Sequence, residues 1–99
     1  AMRVMNARMA WQLDQNPMDA VFPSAIKVYS TEILLEICRL LMEVVGPHSL
    51  IAAGSDGATL YGDLEHEHRR AMINTFGGGV VEVLRGLVAT HGLGMPQHR

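Results

Sequence analysis

The sequence predicts an all-α fold, an antiparallel bundle of three to four helices, and three observations carry that prediction. Apolar residues recur at three- and four-residue spacing in successive stretches, the period of a helix with one face turned to a core. Nothing reads as a strand, a repeat or a low-complexity segment. All ten glycines lie at or after Gly46, so the first half of the chain is free of the residue that most readily breaks a helix.

The first helix rests on Met2, Met5, Met9 and Leu13, which share one face, and Asn16-Pro17 stops it because proline disfavours helix in the residue before it. This helix starts without a cap, and Ala1 before Met2 reads as a cloning remnant, so the natural protein is expected to begin elsewhere. A second helix runs from residue 23 or 24 to 45, with Pro23 suited to a first turn and Gly46-Pro47 as the stop. Its polar residues Glu32, Glu36, Arg39 and Glu43 form a narrow stripe. Ile26, Ile33, Leu34, Ile37, Leu40, Leu41 and Val44 spread over most of the remaining girth, so this helix needs neighbours on more than one side. Residues 46–58 read as a loop, a third helix is expected over 60–74, and a fourth over 80–91 after the Gly77-Gly78-Gly79 joint. Gly92 to Pro96 ends the fourth with glycine at its cap and proline beyond.

Ninety-nine residues suffice for one core, so a single helical domain over 1–99 is expected. The 48% hydrophobic content excludes disorder, and the net charge of −2 leaves no basic stripe for phosphates, which argues against a nucleic-acid partner. One cysteine, Cys38, makes neither an internal disulfide nor a zinc cluster, so a reduced, cytoplasmic setting is expected. The apolar run 33–45 is broken by Glu36, Arg39 and Glu43 and is a buried helix, not a membrane span.

Few side chains suggest chemistry. His66-Glu67-His68 places its imidazoles about 200° apart round a helix, so they do not converge on one metal, and no metal site is expected. The solvated alternative pairs Glu65 with Arg69 and His66 with Arg70. Cys38, beside Leu34, Leu41 and Met42, reads as a structural thiol, and the seven methionines as adaptable filler. The triple glycine is the informative feature. Three glycines ahead of a helix let backbone approach a ligand closely; the alternative is a flexible loop.

The order of motifs resembles the C-terminal helical domain of acyl-CoA dehydrogenases over nearly the whole chain. Ala25 to Glu32 is similar to the family's Ala-x-Lys-x-Tyr/Phe-x-x-Glu helix start, and Leu41 to Gly46 stands where the family has a helix ending in Gln-x-x-Gly-Gly. Arg69-Arg70-Ala71 resembles Arg-Asp-Ala/Gly, Gly77 to Arg85 aligns without gaps to Tyr-Glu-Gly-Thr-Asn-Glu-Ile-Gln-Arg, and Gly92 to Pro96 resembles the C-terminal tail.

The resemblance implies a piece of a flavoprotein that oxidises the Cα–Cβ bond of an acyl-CoA thioester, hydride passing to FAD and electrons leaving to an electron-transferring flavoprotein. On that reading the fragment alone is inactive and retains no FAD. Carried over by position, the flavin-contacting residues are Glu43, Gly46, Gly79, Val80 and Glu82, with Glu43 replacing a glutamine, Pro47 a glycine and Val80 a threonine. The family's catalytic glutamate aligns with Gly78, so no catalytic side chain is assigned; Gly78 keeps its amide, which in the family's pattern donates to the thioester oxygen. The base then comes from a segment upstream of Ala1, or the parent is a non-catalytic subunit of a heteromeric dehydrogenase. A cofactor-free helical interaction module is the reading from a different class. The resemblance also accounts for the apolar second helix, whose other sides would pack on further domains and subunits, so the isolated chain is expected to self-associate, as a homo- or hetero-oligomer in the parent.

Overall fold

A computed structural model describes residues 1–15 and 20–97, and those residues are helical without any strand. Four α-helices follow in order: α1 (Met2–Gln15), α2 (Val21–Val45), α3 (Asp63–Ile73) and α4 (Val81–Leu87). Short 3-10 turns cover Gly46–Leu50 and Thr59–Gly62, and a π-helical turn, Val88–Gly92, extends α4. The chain divides into two compact units, Ala1–Ser30 with Gly79–Arg99, and Thr31–Gly78; α2 is the one helix that contributes to both.

The first unit holds α1, the start of α2, α4 and the C-terminal segment. α1 buries no residue: Met2, Met5 and Met9 are half-buried, while Leu13 of the same row is exposed. The Asn16-Pro17 stop lies outside the described residues. α2 starts at Val21, two or three residues earlier than Pro23 suggests, because proline is tolerated anywhere in a first turn whose N–H groups have no helical acceptor. In that first turn the Ser24 hydroxyl donates to the Ala20 carbonyl at 2.6 Å, beside the Ser24 amide at 3.2 Å. The Arg8 guanidinium sits over the Phe22 ring, 5.0 Å from its centroid. Among the described residues, Ser24, Ile26 and Val81 are this unit's buried side chains.

At the far end of this unit, α4 is shorter than the periodicity of residues 80–91 suggests. It gives way at Val88 to the π-helical turn, in which the Thr90 hydroxyl donates to the Gly86 carbonyl. A side-chain hydroxyl that bonds back one turn competes with the helical ladder. Beyond it the Met95 amide donates to the Ala89 carbonyl at 3.0 Å, folding the tail back. Gly92 packs closely, since a β-carbon there would stand 2.7 Å from a methyl of Val21 and that side chain would have to shift.

The second unit packs the rest of α2, the two 3-10 turns and α3, with the 46–50 turn against both the 59–62 turn and α3. Thr31, Cys38, Ser49, Gly62, Leu64 and Ala71 are buried in it. Ser49 finishes α2: its hydroxyl donates to the Gly46 carbonyl at 2.7 Å and to the Met42 carbonyl at 3.4 Å, occupying acceptors a helix end leaves free. Residues 46–50 are thus a 3-10 turn and not open loop.

α3 begins at Asp63, not at residue 60. Leu60 and Tyr61 have φ of 52° and 57° and Gly62 has φ of 82°, three successive left-handed residues that no right-handed helix can include. Gly62 is fixed by contact as well as by torsion, because a β-carbon on it would lie 2.4 Å from the Ala53 nitrogen and 2.6 Å from the Ala53 Cα. Asp63 and Glu65 in the first turn suit the positive end of the α3 dipole. Glu65 pairs with Arg69 at 2.6 Å as its spacing predicts, but Arg70 pairs with Glu67 at 3.2 Å and not with His66, since a carboxylate attracts a guanidinium more strongly than an imidazole does.

Candidate functional site

The segment that follows α3 owes its course to its glycines. Thr75 and Phe76 donate backbone bonds to Met72 and Ile73, and Gly77 closes the turn by donating to the Ile73 carbonyl at 3.2 Å. Gly78 and Gly79 then take φ of 77° and 116°, in the region that favours glycine. Gly79 is also sterically tight, with the place of a β-carbon 3.1 Å from the Leu84 side chain. Val80 returns to an extended conformation, its carbonyl accepting from the Leu84 amide at 3.0 Å, and Val81 begins α4. The triple glycine is therefore a shaped turn and not a featureless linker. An L-residue such as glutamate at position 78 would carry the left-handed penalty of about 1–2 kcal/mol, so the family's catalytic glutamate would be strained in this turn.

The second predicted region lies at the end of α2. Gly46 is left-handed, φ 74°, and nothing lies within 4 Å of where its β-carbon would stand, so its backbone is open to approach. Glu43 accepts a bond from the Arg39 guanidinium, which also donates to Glu36 at 2.8 and 3.0 Å. The hydrogen bond from Arg39 holds the Glu36 carboxyl below its ordinary value, against the opposing effect of desolvation and with help from the Arg39 charge. A groove of about 360 Å³ runs beside these residues, lined by Arg39, Met42, Glu43, Gly46, Pro47, Ser49, Leu50 and His68. Glu43 and Gly46 are thus brought to one groove. Gly78 belongs to the same unit as they do, while Gly79, Val80 and the exposed Glu82 of the first α4 turn belong to the other.

Arg39, Ser49 and His68 line that groove without having been singled out as site residues from sequence. For Arg39 the signal was present, because carboxylates three before and four after it give a guanidinium two partners on one face. His68 and Ser49 reach the groove through tertiary packing, for which no local pattern exists. Cys38 is 4% exposed, and burial, then the nearby Glu67 carboxylate, push its thiol pKa up, as suits a structural thiol. Among the described residues no three His, Cys, Asp or Glu side chains are grouped to hold a metal, and no helix is long and apolar enough to cross a membrane.

Four helices with a shaped glycine turn before the last one agree with what the chain matches. The family described as acyl-CoA dehydrogenase, C-terminal domain, matches residues 1–93. The chain belongs to the acyl-CoA dehydrogenase family, as its C-terminal domain. It is 45% identical over 82 residues to acyl-CoA dehydrogenase FadE26 of Mycobacterium tuberculosis (strain ATCC 25618 / H37Rv), covering 83% of this chain and 20% of that protein. It is 37% identical over 98 residues to FadE29 of the same organism, covering 94% of this chain and 24% of that protein. Among solved structures, the Tcur3481-Tcur3483 steroid ACAD superposes with a TM-score of 0.86 at 40% identity, over 98% of this chain and 25% of that one. The ChsE4-ChsE5 complex from Mycobacterium tuberculosis gives 0.85 at 37%, over 99% of this chain and 25% of that one. The chain spans about a fifth to a quarter of the length of these relatives.

Proposed function

We propose that this chain is the C-terminal domain of an FAD-dependent acyl-CoA dehydrogenase that desaturates the α,β bond of an acyl-CoA thioester, and that the isolated domain is inactive and retains no flavin. The glycine turn carries the reading: Gly78 offers a backbone amide and no side chain, in a conformation suited to glycine. The amide is the group that would donate to the thioester oxygen and stabilise the enolate-like charge growing there. Bound FAD would supply the hydride acceptor. Backbone at Gly46 fits such a group, since nothing lies within 4 Å of where its β-carbon would stand, whereas at Gly79 that space is taken by the Leu84 side chain. The side chains fit less well, because Val80 has no hydroxyl and Glu43 brings a carboxylate, although Arg39 partly neutralises it. Glu82 keeps its aligned place in the first turn of α4.

The single cysteine and the absence of a membrane-length helix among the described residues are compatible with a cytoplasmic enzyme, with an electron-transferring flavoprotein as its electron acceptor. The similar solved proteins include a steroid ACAD and a two-component complex, and this supports a ring-bearing acyl-CoA as substrate and an oligomeric parent. The bare Gly78 favours a second reading within the family, a subunit of a heteromeric dehydrogenase that leaves the base to a partner chain. The natural full-length protein tests both. Visible flavin absorbance that bleaches anaerobically with an acyl-CoA supports the first when the protein is alone, and the second when bleaching needs a copurifying dehydrogenase chain. A colourless protein, alone and with such a chain, refutes both.

A further inference from the structure

The loop between the two 3-10 turns holds a pair of residues with a chemistry of their own. Ala52, Ala53, Gly54, Ser55, Asp56 and Gly57 are exposed in succession. Two tight turns shape them. The Ser55 amide donates to the Ala52 carbonyl and the Ala58 amide to the Ser55 carbonyl, each at 3.2 Å, with Gly54 and Gly57 at φ of 83° in the third position of their turns. A positive φ there is the mark of a type II turn and calls for glycine. Asp56 and Gly57 are the central pair of the second turn, which is closed by the amide of Ala58. Among the described residues, neither the Asp56 carboxyl nor the Gly57 amide has a hydrogen-bond partner. Around Gly57 the fold offers little shielding, since only a methyl of Ile51, at 3.6 Å, lies near the place of a β-carbon.

A carboxyl beside an unpartnered, unhindered amide nitrogen can close on it. The Gly57 nitrogen attacks the side-chain carbonyl carbon of protonated Asp56, the N–Cγ bond forms, and the amide proton leaves with the hydroxyl as water. The product is a five-membered succinimide. Water then opens the ring at either carbonyl. Addition at the side-chain carbonyl breaks the new bond and restores aspartate. Addition at the main-chain carbonyl breaks the original peptide bond, so the chain runs through the side chain as isoaspartate, one carbon longer, with a free α-carboxylate. Water is the only co-reactant. The other described aspartates are placed differently: Asp14 lies in α1 and Asp63 opens α3, where helical torsions are fixed and the next residues, Gln15 and Leu64, carry β-carbons. Conversion at residue 56 has a structural consequence too. Residue 56 lies between Ala53 and Gly62, so an added main-chain carbon changes the length of chain that must span their close contact.

We propose that Asp56-Gly57 is a self-modification site of this chain, at which aspartate converts to isoaspartate through the succinimide and loosens the Ala53–Gly62 contact. The conversion is independent of flavin and acyl-CoA. It is tested by holding the folded 99-residue chain in warm neutral buffer below its melting temperature. Aliquots are assayed by methyl transfer from labelled S-adenosylmethionine with a protein isoaspartate methyltransferase, and by electron-transfer fragmentation, which locates the isoaspartate. Methyl acceptor is expected to accumulate with time at residue 56 and not at 14 or 63, alongside a minor species lighter by one water. Asp56→Glu is expected to lose the signal, because its closure needs a six-membered ring, and Gly57→Ala to accumulate far less; circular dichroism checks that both are folded. The converted chain is expected to melt below the unconverted one, while held Asp56→Glu melts as when fresh. No accumulation at residue 56, equal accumulation at 14 or 63, or undiminished accumulation in Gly57→Ala overturns the site. A converted chain that melts with the unconverted one overturns its effect on the Ala53–Gly62 contact.

Discussion

Replacing Gly62 by alanine puts a number on how closely its backbone approaches Ala53 in the second unit. Two costs add at this position. Alanine at φ 82° takes the left-handed penalty of about 1–2 kcal/mol. Its β-carbon must also displace main chain, because the Ala53 nitrogen, the Ala53 Cα and the Ala52 carbonyl carbon lie 2.4, 2.6 and 3.0 Å away, and main chain cannot rotate aside as a side chain can. Overpacking of this kind adds about 1–3 kcal/mol, for a total near 2–5 kcal/mol. A chain of this size has only about 5–15 kcal/mol of stability, so the loss is large. Gly54→Ala is the matched control: φ is again positive, 83°, but nothing lies within 4 Å of the added carbon, so only the torsional cost remains. Thermal and urea unfolding by circular dichroism read the difference. At about 4–8 °C per kcal/mol, Gly62→Ala should melt well below Gly54→Ala, by about 5 °C or more. Equal melting temperatures for the two variants would refute the close approach of the 59–62 turn to Ala53.

Four further outcomes are expected. Cys38 should react slowly with a thiol reagent in the folded chain and rapidly once denatured. Because its folded pKa is raised, stability should fall as pH rises through the ordinary thiol range, and Glu67→Gln should lower that pKa by removing the lesser of its two causes. Glu36 should titrate below the usual glutamate range by NMR and return to it in Arg39→Ala. The depressed folded value means its contribution is present above the unfolded pKa and lost as pH falls through the folded one, and no such loss should appear in the variant. Ser49→Ala should cost about 1 kcal/mol by removing a buried donor from the carbonyls at the end of α2. Thr75→Ala, whose hydroxyl bonds the Met72 carbonyl at 2.7 Å on the exposed surface, should melt within error of the parent.

What could be read in advance was whatever a single helix decides for itself. The charged row on α2 is legible because Glu36, Arg39 and Glu43 are neighbours by helical spacing alone, and the stop at Gly46 because glycine beside proline ends a helix in any surroundings. The family resemblance was legible for a different reason: it rests on the order of several short motifs, which needs no knowledge of packing. The start of α3 was not, since periodicity places Leu60 on a helix and nothing in Leu60 or Tyr61 favours φ above zero. The left-handed run is set by Ala53 pressing against Gly62, a contact between residues nine apart in the chain.

The same distinction explains the candidate site. The turn at Gly78 and Gly79 could be expected because glycine is informative by itself, whereas His68 and Ser49 join the groove beside Glu43 only through the packing of α3 and the 46–50 turn on α2. Tyr61, 88% exposed and left-handed, shows the limit of both kinds of inference. Its strain needs compensation from the surrounding structure. Gly62 provides that compensation locally, because the close approach to Ala53 fixes the turn whatever Tyr61 itself touches. The strain at residue 61 is therefore explained by packing, and a role for the exposed ring would require a contact that lies beyond this chain.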